Sequence, residues 1–275
     1  MGRVGLRVLA LMLLLGAAPA QAAEAVTLSG VLAQGSVALG QTEPGAAVRL
    51  GDIPVPVSPD GRFVLGFAYN APETAVLSVR LPDGKTETQT LEIARTAYDI
   101  QRIDGLPTAK VSPNPADTKR IQDDQARIRG ERQEALAQPS FPRLGFILPA
   151  EGRRSGVFGS QRILNGQPRQ PHFGIDIAAP VGTPFVSPAD GVVRVASKDF
   201  FLLGGTIMVD HGYGMTSVFA HCEDVLVKEG QRVQRGEQLG TIGNTGRSTG
   251  AHLHWGTAVG GINVDPAVVL ETLRP

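Results

Sequence analysis

Three things are scarce in this chain. Cysteine is nearly absent: Cys222 stands alone in 275 residues, so no intramolecular disulfide can form, and stability has to come from packing or a bound metal. Aromatic side chains make up only 5% of the sequence and the formal net charge is zero. A nucleic-acid binder would need a basic stripe and stacking platforms, so that class is set aside. Long apolar runs are missing as well. The one candidate, residues 8–18, is shorter than the roughly 20 residues a membrane-spanning helix needs. Arg3 and Arg7 precede it and Ala20-Gln21-Ala22 follows it, the pattern of a secretory signal peptide over residues 1–22. No cysteine follows the run, so a lipid-modified lipoprotein is not indicated. Removing this leader would leave 24 basic against 26 acidic residues. An exported, soluble protein is expected, with a Gram-negative periplasm as the best-fitting location.

Glycine and proline are plentiful, at 34 and 20, and they break the chain into short β-type segments. Such segments recur at 31–37, 47–50, 62–67, 75–81 and 86–93. Ser58-Pro59-Asp60-Gly61 and Leu81-Pro82-Asp83-Gly84 supply turns, because proline presets φ and glycine accepts a positive one. A small β-sandwich over 23–105 follows from this pattern. Pro44-Gly45-Ala46-Ala47-Val48 and Asp60-Gly61-Arg62-Phe63 resemble bacterial immunoglobulin-like domains, which implies a spacer or recognition module. Residues 106–140 then turn polar and form a linker with a helix. Asn114 can cap that helix, Pro115 suits its first turn, Asp117 favours its start and Pro139 ends it. Ile121, Ile128 and Leu136 give it only a thin apolar stripe. The helix either connects as a solvated spacer or lies over a neighbouring domain as a lid. From residue 141 to 275 strands and turns return, and an antiparallel β domain is expected.

Histidine is distributed unevenly: the first 171 residues have none, and all five fall at positions 172, 211, 221, 252 and 254. Scattered surface histidines have no reason to avoid most of a chain, whereas a metal centre needs several nitrogens converging from different strands. On a strand, successive side chains alternate faces, so His252 and His254 point the same way while Leu253 and Trp255 point into packing. His172-Phe173-Gly174-Ile175-Asp176 adds an imidazole and a carboxylate at the mouth of a further strand. With one histidine of the H-x-H pair they make two neutral imidazoles and a carboxylate, leaving a fourth position for water, the coordination of a catalytic zinc site. Cys222 neighbours His221 on a strand, so if His221 faces a site Cys222 faces away and packs as a small apolar residue. His211, in Asp210-His211-Gly212, reads as the organiser of a hairpin. Gly246-Arg247-Ser248-Thr249-Gly250 matches a nucleophile elbow, but a strand follows where a helix is required and no histidine lies beyond Asp265.

Taken together, His172-x-x-x-Asp176, Phe219-Ala220-His221 and His252-Leu253-His254 resemble the three signature motifs of the lysostaphin-type, LytM-like zinc metallopeptidases. Gly182-Thr183-Pro184, Ala189-Asp190-Gly191, Asp210-His211-Gly212-Tyr213-Gly214, Asn244-Thr245-Gly246 and Val264-Asp265-Pro266 extend the resemblance over about 156–266. It implies a mainly β fold, with the N-terminal β-sandwich and helical linker followed by an antiparallel metallopeptidase domain over 141–275. It also implies one zinc ion held by His172, Asp176 and His254, with zinc-activated water as nucleophile. His221 and His252 then form the catalytic pair, His252 mainly as general base and His221 on the oxyanion. The implied substrate is the peptide cross-link of peptidoglycan, between D-alanine and diaminopimelate in the periplasmic setting. Phe219 stands where tyrosine is frequent in the family, and Gly256 where an acidic residue is common. Extra residues 161–170 are expected to form a loop beside the groove, with Arg162, Asn165 and Arg169 contacting stem peptides. Divisome or wall-hydrolase partners would dock through the N-terminal domain. The alternative is a catalytically silent regulator of other wall hydrolases, a role in which the metal ligands are typically degraded; here they are intact.

Overall fold

The computed structural model describes residues 26–106, 108–136 and 145–274; the expected signal peptide over 1–22 lies outside them. The architecture is mainly β. Near the N-terminus, Val26–Gly30, Val37–Thr42 and Arg62–Gly66 form a three-stranded antiparallel sheet in that order. A four-stranded antiparallel sheet runs Ile53–Val55, Ala47–Leu50, Thr74–Arg80, Thr86–Glu92. The turns at residues 58–61 and 81–84 close as read from sequence, through Gly61 N–H to Ser58 O and Gly84 N–H to Leu81 O.

The Arg62–Gly66 strand is buried on both faces, which its apolar sequence allows. Phe63 and Leu65 enter one core with Val48, Leu77 and Val79. Val64 points the opposite way, into the core that holds Val37, Val259 and Val264. Alternation thus makes one sheet the wall between two cores. Each valine so buried is worth roughly 1.5–3 kcal/mol, and the N-terminal sheets are consequently seated on the C-terminal one.

The C-terminal half is a ten-stranded sheet. Its centre runs Gly191–Phe200, Gly204–Gly212, Met215–Val225, His252–Val259, Ile175–Ala178, all antiparallel neighbours. One of its central strands has no exposed face: every residue of Gly204–Gly212 is buried. A separate small sheet pairs Gln161–Leu164 with Gln167–Pro168 and, in parallel, with Ile100–Ile103. The expected extra loop is therefore a hairpin zipped onto the end of the N-terminal half.

The expected helix spans Pro115–Leu136. Asn114 caps it, its Oδ1 accepting the Asp117 N–H at 2.9 Å. It lies along the large sheet as a packed element. Ile128 is buried in a cluster with Val195, Phe200 and Met208, Asp124 Oδ2 accepts the Phe201 N–H at 2.8 Å, and Arg120 pairs with Asp199 at 2.7 Å.

His211 occupies the core beneath the H-x-H strand. Its Nδ1 lies 2.9 Å from Asp190 O, a carbonyl that can only accept, so Nδ1 carries the proton. Nε2 therefore accepts from the Ser217 hydroxyl at 2.9 Å, and Ser217 Oγ accepts from Trp255 Nε1 at 3.1 Å. Instead of merely shaping a hairpin, the ring anchors Trp255. The hairpin turn itself falls to Tyr213 and Gly214, both at positive φ. Burial, opposed by the Asp190 hydrogen bond, pushes the His211 imidazole down from 6.5 to about 4.

Because the unfolded chain binds a proton at His211 below 6.5 that the folded chain refuses until about 4, stability falls as pH drops through that window and is full above it. Urea unfolding at a series of pH values is expected to show this decline. His211→Gln should lower the slope between pH 6 and 5 by about 1.4 kcal/mol per pH unit, the contribution of one proton. An unchanged slope would remove His211 from the linkage.

Candidate metal centre

Four of the five histidines and one carboxylate converge where the Met215–Val225, His252–Val259 and Ile175–Ala178 strands lie side by side. Asp176 stands opposite His254 in register, and His254 opposite Ala220. His172 lies in the loop just before the Ile175–Ala178 strand, at the mouth of a strand as expected. His172, Asp176 and His254 offer ligand atoms that all lie within 4.8 Å of one another. His172 Nε2 is 2.9 Å and His254 Nδ1 3.0 Å from Asp176 Oδ1, and the two nitrogens are 2.9 Å apart. His252 enters the same space, its Nε2 3.8 Å from Asp176 Oδ1. The centre of the His221 ring lies 4.7 Å from that of His252, with the planes tilted by 51°, and 6.3 Å from that of His254, edge-on.

Backbone carbonyls set the orientation of three of these rings. His172 Nδ1 lies 3.0 Å from Val157 O, His221 Nδ1 2.8 Å from Thr245 O, and His252 Nδ1 2.8 Å from Gly250 O. Since a carbonyl only accepts, Nδ1 carries the proton in each neutral ring and Nε2 keeps its lone pair. Burial pushes His172 down to about 4 and His221 to about 3, the neighbouring His254 and His252 charges adding to the effect. Both are neutral near pH 7. The His172 Nε2 lone pair thus faces Asp176 Oδ1, with His254 Nδ1 at hydrogen-bonding distance from both, an arrangement that a cation among the three would satisfy. Nitrogen, nitrogen and carboxylate oxygen form a borderline donor set that suits a zinc-type divalent ion. The residues fit the implied metal.

Asp176 is 6% exposed. Burial by itself would raise its pKa, but the two imidazoles placed against its inner oxygen, His172 and His254, act the other way and hold the carboxyl well below its usual range. Its outer oxygen, Oδ2, is taken by Arg162 Nη2 at 3.0 Å. Two glycines leave room for this packing. A Cβ at Gly156 would come within 2.3 Å of Asp176 Oδ2, and one at Gly174 within 2.6 Å of His254 Cε1.

His221 required a backbone device as well as a motif. Cys222 pairs with Gly205 and Phe219 with Ile207, so the strand carries one extra residue there, and His221 has φ of 64°. Such a bulge turns a side chain out of the regular alternation and stores strain at the site. Cys222 is fully buried in the core, as read from sequence, and burial pushes its thiol up to about 12. Ser248 is accounted for differently from a nucleophile: its hydroxyl donates to Gly250 O at 2.7 Å and its Oγ lies 3.2 Å from His252 Nδ1.

The three residues expected to contact substrate are in different situations. Arg162 lies in the centre, on Asp176. Asn165 is bonded twice to Leu106, through Oδ1 to its N–H at 3.2 Å and through Nδ2 to its O at 2.8 Å. Arg169 donates to Val111 O at 2.7 Å. These two fasten the hairpin to the linker. The sequence reading missed the Arg162–Asp176 pair; the signal, a cationic residue in an inserted hairpin, was present without its partner.

Residues 170–266 match Peptidase family M23. An "uncharacterized metalloprotease" of Haemophilus influenzae is 35% identical over 151 residues, 54% of this chain and 31% of the relative. The peptidoglycan DD-endopeptidase ShyA of Vibrio cholerae is 43% identical over 91 residues, 33% of this chain and 21% of the relative. The chain thus spans less than a third of the length of these two curated relatives. A solved peptidase M23 structure from Pseudomonas aeruginosa superposes with a TM-score of 0.67 at 28% identity, covering 88% of this chain and 96% of that one. The histidines and the carboxylate of the centre all fall inside the matched span, and on that basis the chain carries, over residues 170–266, a domain of Peptidase family M23.

Proposed function

We propose that the protein is an exported zinc metalloendopeptidase that hydrolyses peptide cross-links of peptidoglycan in the periplasm. The observation that carries this reading is the convergence of His172 Nε2, Asp176 Oδ1 and His254 Nδ1, with His221 and His252 beside them as non-liganding imidazoles. Relatives named as peptidoglycan endopeptidases support the substrate. An exported chain would meet that polymer, and among the described residues no helix is long and apolar enough to cross a membrane. The leader over 1–22 is proposed to direct the export, and the N-terminal sandwich over 23–105 and linker over 106–140 are proposed as separate units preceding the peptidase domain. Wall-hydrolase or divisome partners would use the former.

His172, Asp176 and His254 would hold one zinc ion. When bound, zinc supplies Lewis-acid polarisation of the scissile carbonyl and lowers the pKa of water toward neutrality. His252 presents a lone-pair Nε2 toward the same space and is assigned proton acceptor from the attacking water. Anchored by Gly250 O, its ring can gain a proton at Nε2 without turning. His221 is held the same way by Thr245 O; its burial keeps it neutral, so it donates to a developing oxyanion only after taking up a proton itself. Arg162 fixes the Asp176 carboxylate through its outer oxygen and lines the groove where stem peptides would lie. Asn165 and Arg169 support the groove by holding the hairpin on the linker.

Digestion of purified sacculi, with new termini identified by mass spectrometry, is expected to release uncross-linked peptides in a chelator-sensitive manner. No chelator-sensitive product would sink the enzymatic reading. Metal analysis of purified protein should give one zinc per chain, and His172→Ala, Asp176→Ala or His254→Ala should weaken zinc by about a hundredfold or more in competition with a chromophoric chelator. His221→Ala and His252→Ala should keep the metal while kcat falls at least about a hundredfold. Loss of zinc in either would make that residue a ligand.

A further inference from the structure

A cavity of about 350 Å³ opens between the Pro115–Leu136 helix and the metal centre, with His221 and His254 in its inner wall. Its remaining wall has two characters. Ile121, Ile128, Leu202 and Leu203 make one side apolar, while Arg129, Arg132, Arg162 and Arg247 bring four guanidinium groups against a single carboxylate, Asp124. Asp124 is already engaged by the Phe201 N–H, and Arg162 by Asp176. Arg132 differs from both: its Nε is buried without a hydrogen-bond partner among the described residues. A buried guanidinium nitrogen left unpaired is costly, and a carboxylate binding elsewhere on the same guanidinium would offset that cost. Burial pushes both Arg132 and Arg247 down to about 10, Arg247 being further opposed by the charges of Arg162 and Arg169.

We infer that this cavity is a carboxylate-recognition subsite, in which Arg132 of the long helix receives a free carboxylate borne on an aliphatic side chain of the substrate next to the scissile bond. The occupant's chemistry follows from the wall. An aliphatic stem would lie along Ile121, Ile128, Leu202 and Leu203 while its carboxylate meets the arginines, whose planar forks match two oxygens at once. The volume suits a fragment of peptide rather than a folded partner. Ion pairs and hydrogen bonds clamp the helix over the sheet, so Arg132 is held in place before any substrate arrives. Arg132 lies outside the matched span of 170–266. The helix accordingly contributes specificity to a site whose chemistry belongs to the C-terminal domain.

This inference rests on the peptidase reading for the identity of its ligand, a stem tetrapeptide whose diamino acid carries a free carboxylate. The test is calorimetric binding of that tetrapeptide, and of the same peptide with this carboxylate amidated, to the zinc-loaded full chain and to Arg132→Gln and Arg132→Lys. The free acid is expected to bind wild type at least about tenfold more tightly than the amide, the size of effect of a charge-assisted hydrogen bond. Arg132→Gln should bring the two affinities within about twofold of each other. Arg132→Lys, which keeps the charge without the fork, should retain only part of the preference. Equal affinities in wild type, or a preference that survives in both variants, would overturn the subsite. Sacculi left uncut while the preference holds would instead remove the peptidase reading and leave the subsite standing; chelator-sensitive cleavage without any preference would do the reverse.

Discussion

A carboxylate withdrawn almost wholly from water stays ionised only if its neighbours compensate for the lost hydration, and the organisation of the site around Asp176 answers that requirement. Its inner oxygen is shared by His172 and His254, and its outer oxygen is taken by Arg162. Each contact comes from a different part of the chain: the loop before the Ile175–Ala178 strand, the His252–Val259 strand, and the inserted hairpin. Removing any of them would leave charge or lone pairs buried without a counterpart. The centre is thereby coupled to the hairpin, and through the hairpin's parallel pairing with Ile100–Ile103 to the N-terminal half.

The imidazoles show how far backbone carbonyls set the candidate metal centre. Val157, Thr245 and Gly250 each place a carbonyl against Nδ1 of a different ring, and each fixes a tautomer that leaves Nε2 with a lone pair. Side-chain identity supplies the nitrogen, and the carbonyl decides which nitrogen faces inward. Below them, His211 holds Ser217 and through it Trp255, so the strand bearing His252 and His254 rests on a polar chain enclosed in the core. Anchoring of this kind holds the imidazoles in position without a conformational step.

The parts of the chain outside the matched domain also have a place at the site. The Arg62–Gly66 strand seats the N-terminal sheets by filling two cores at once, and the Pro115–Leu136 helix lies along the large sheet with Ile128 buried and Arg129 and Arg132 on the cavity wall. A thin apolar stripe on that helix was consistent with a solvated spacer or with a packed element. The sheet decided between them, because Val195, Phe200 and Met208 provide an apolar surface for Ile128.

The sequence by itself determined the donors and their grouping. Five histidines confined to one half, the H-x-H alternation and the H-x-x-x-D spacing are local properties, and strand periodicity converts them into shared faces without further information. The strands near 47–50, 62–67, 75–81 and 86–93, the turn glycines and the helix start at Asn114 were legible for the same reason, whereas the expected segment at 31–37 is mostly the turn joining the Val26–Gly30 and Val37–Thr42 strands. What only the tertiary structure decided depends on residues far apart in the chain. Arg162 meets Asp176 because a hairpin folds back across the strand. His221 turns inward through a bulge and a positive φ that no local pattern specifies, and Asn165 and Arg169 are engaged by linker backbone. Arg132 reaches the cavity because a helix some forty residues upstream packs on the sheet. Periodicity fixes which side of a strand a residue occupies; which distant groups come to meet it is set by how the layers pack.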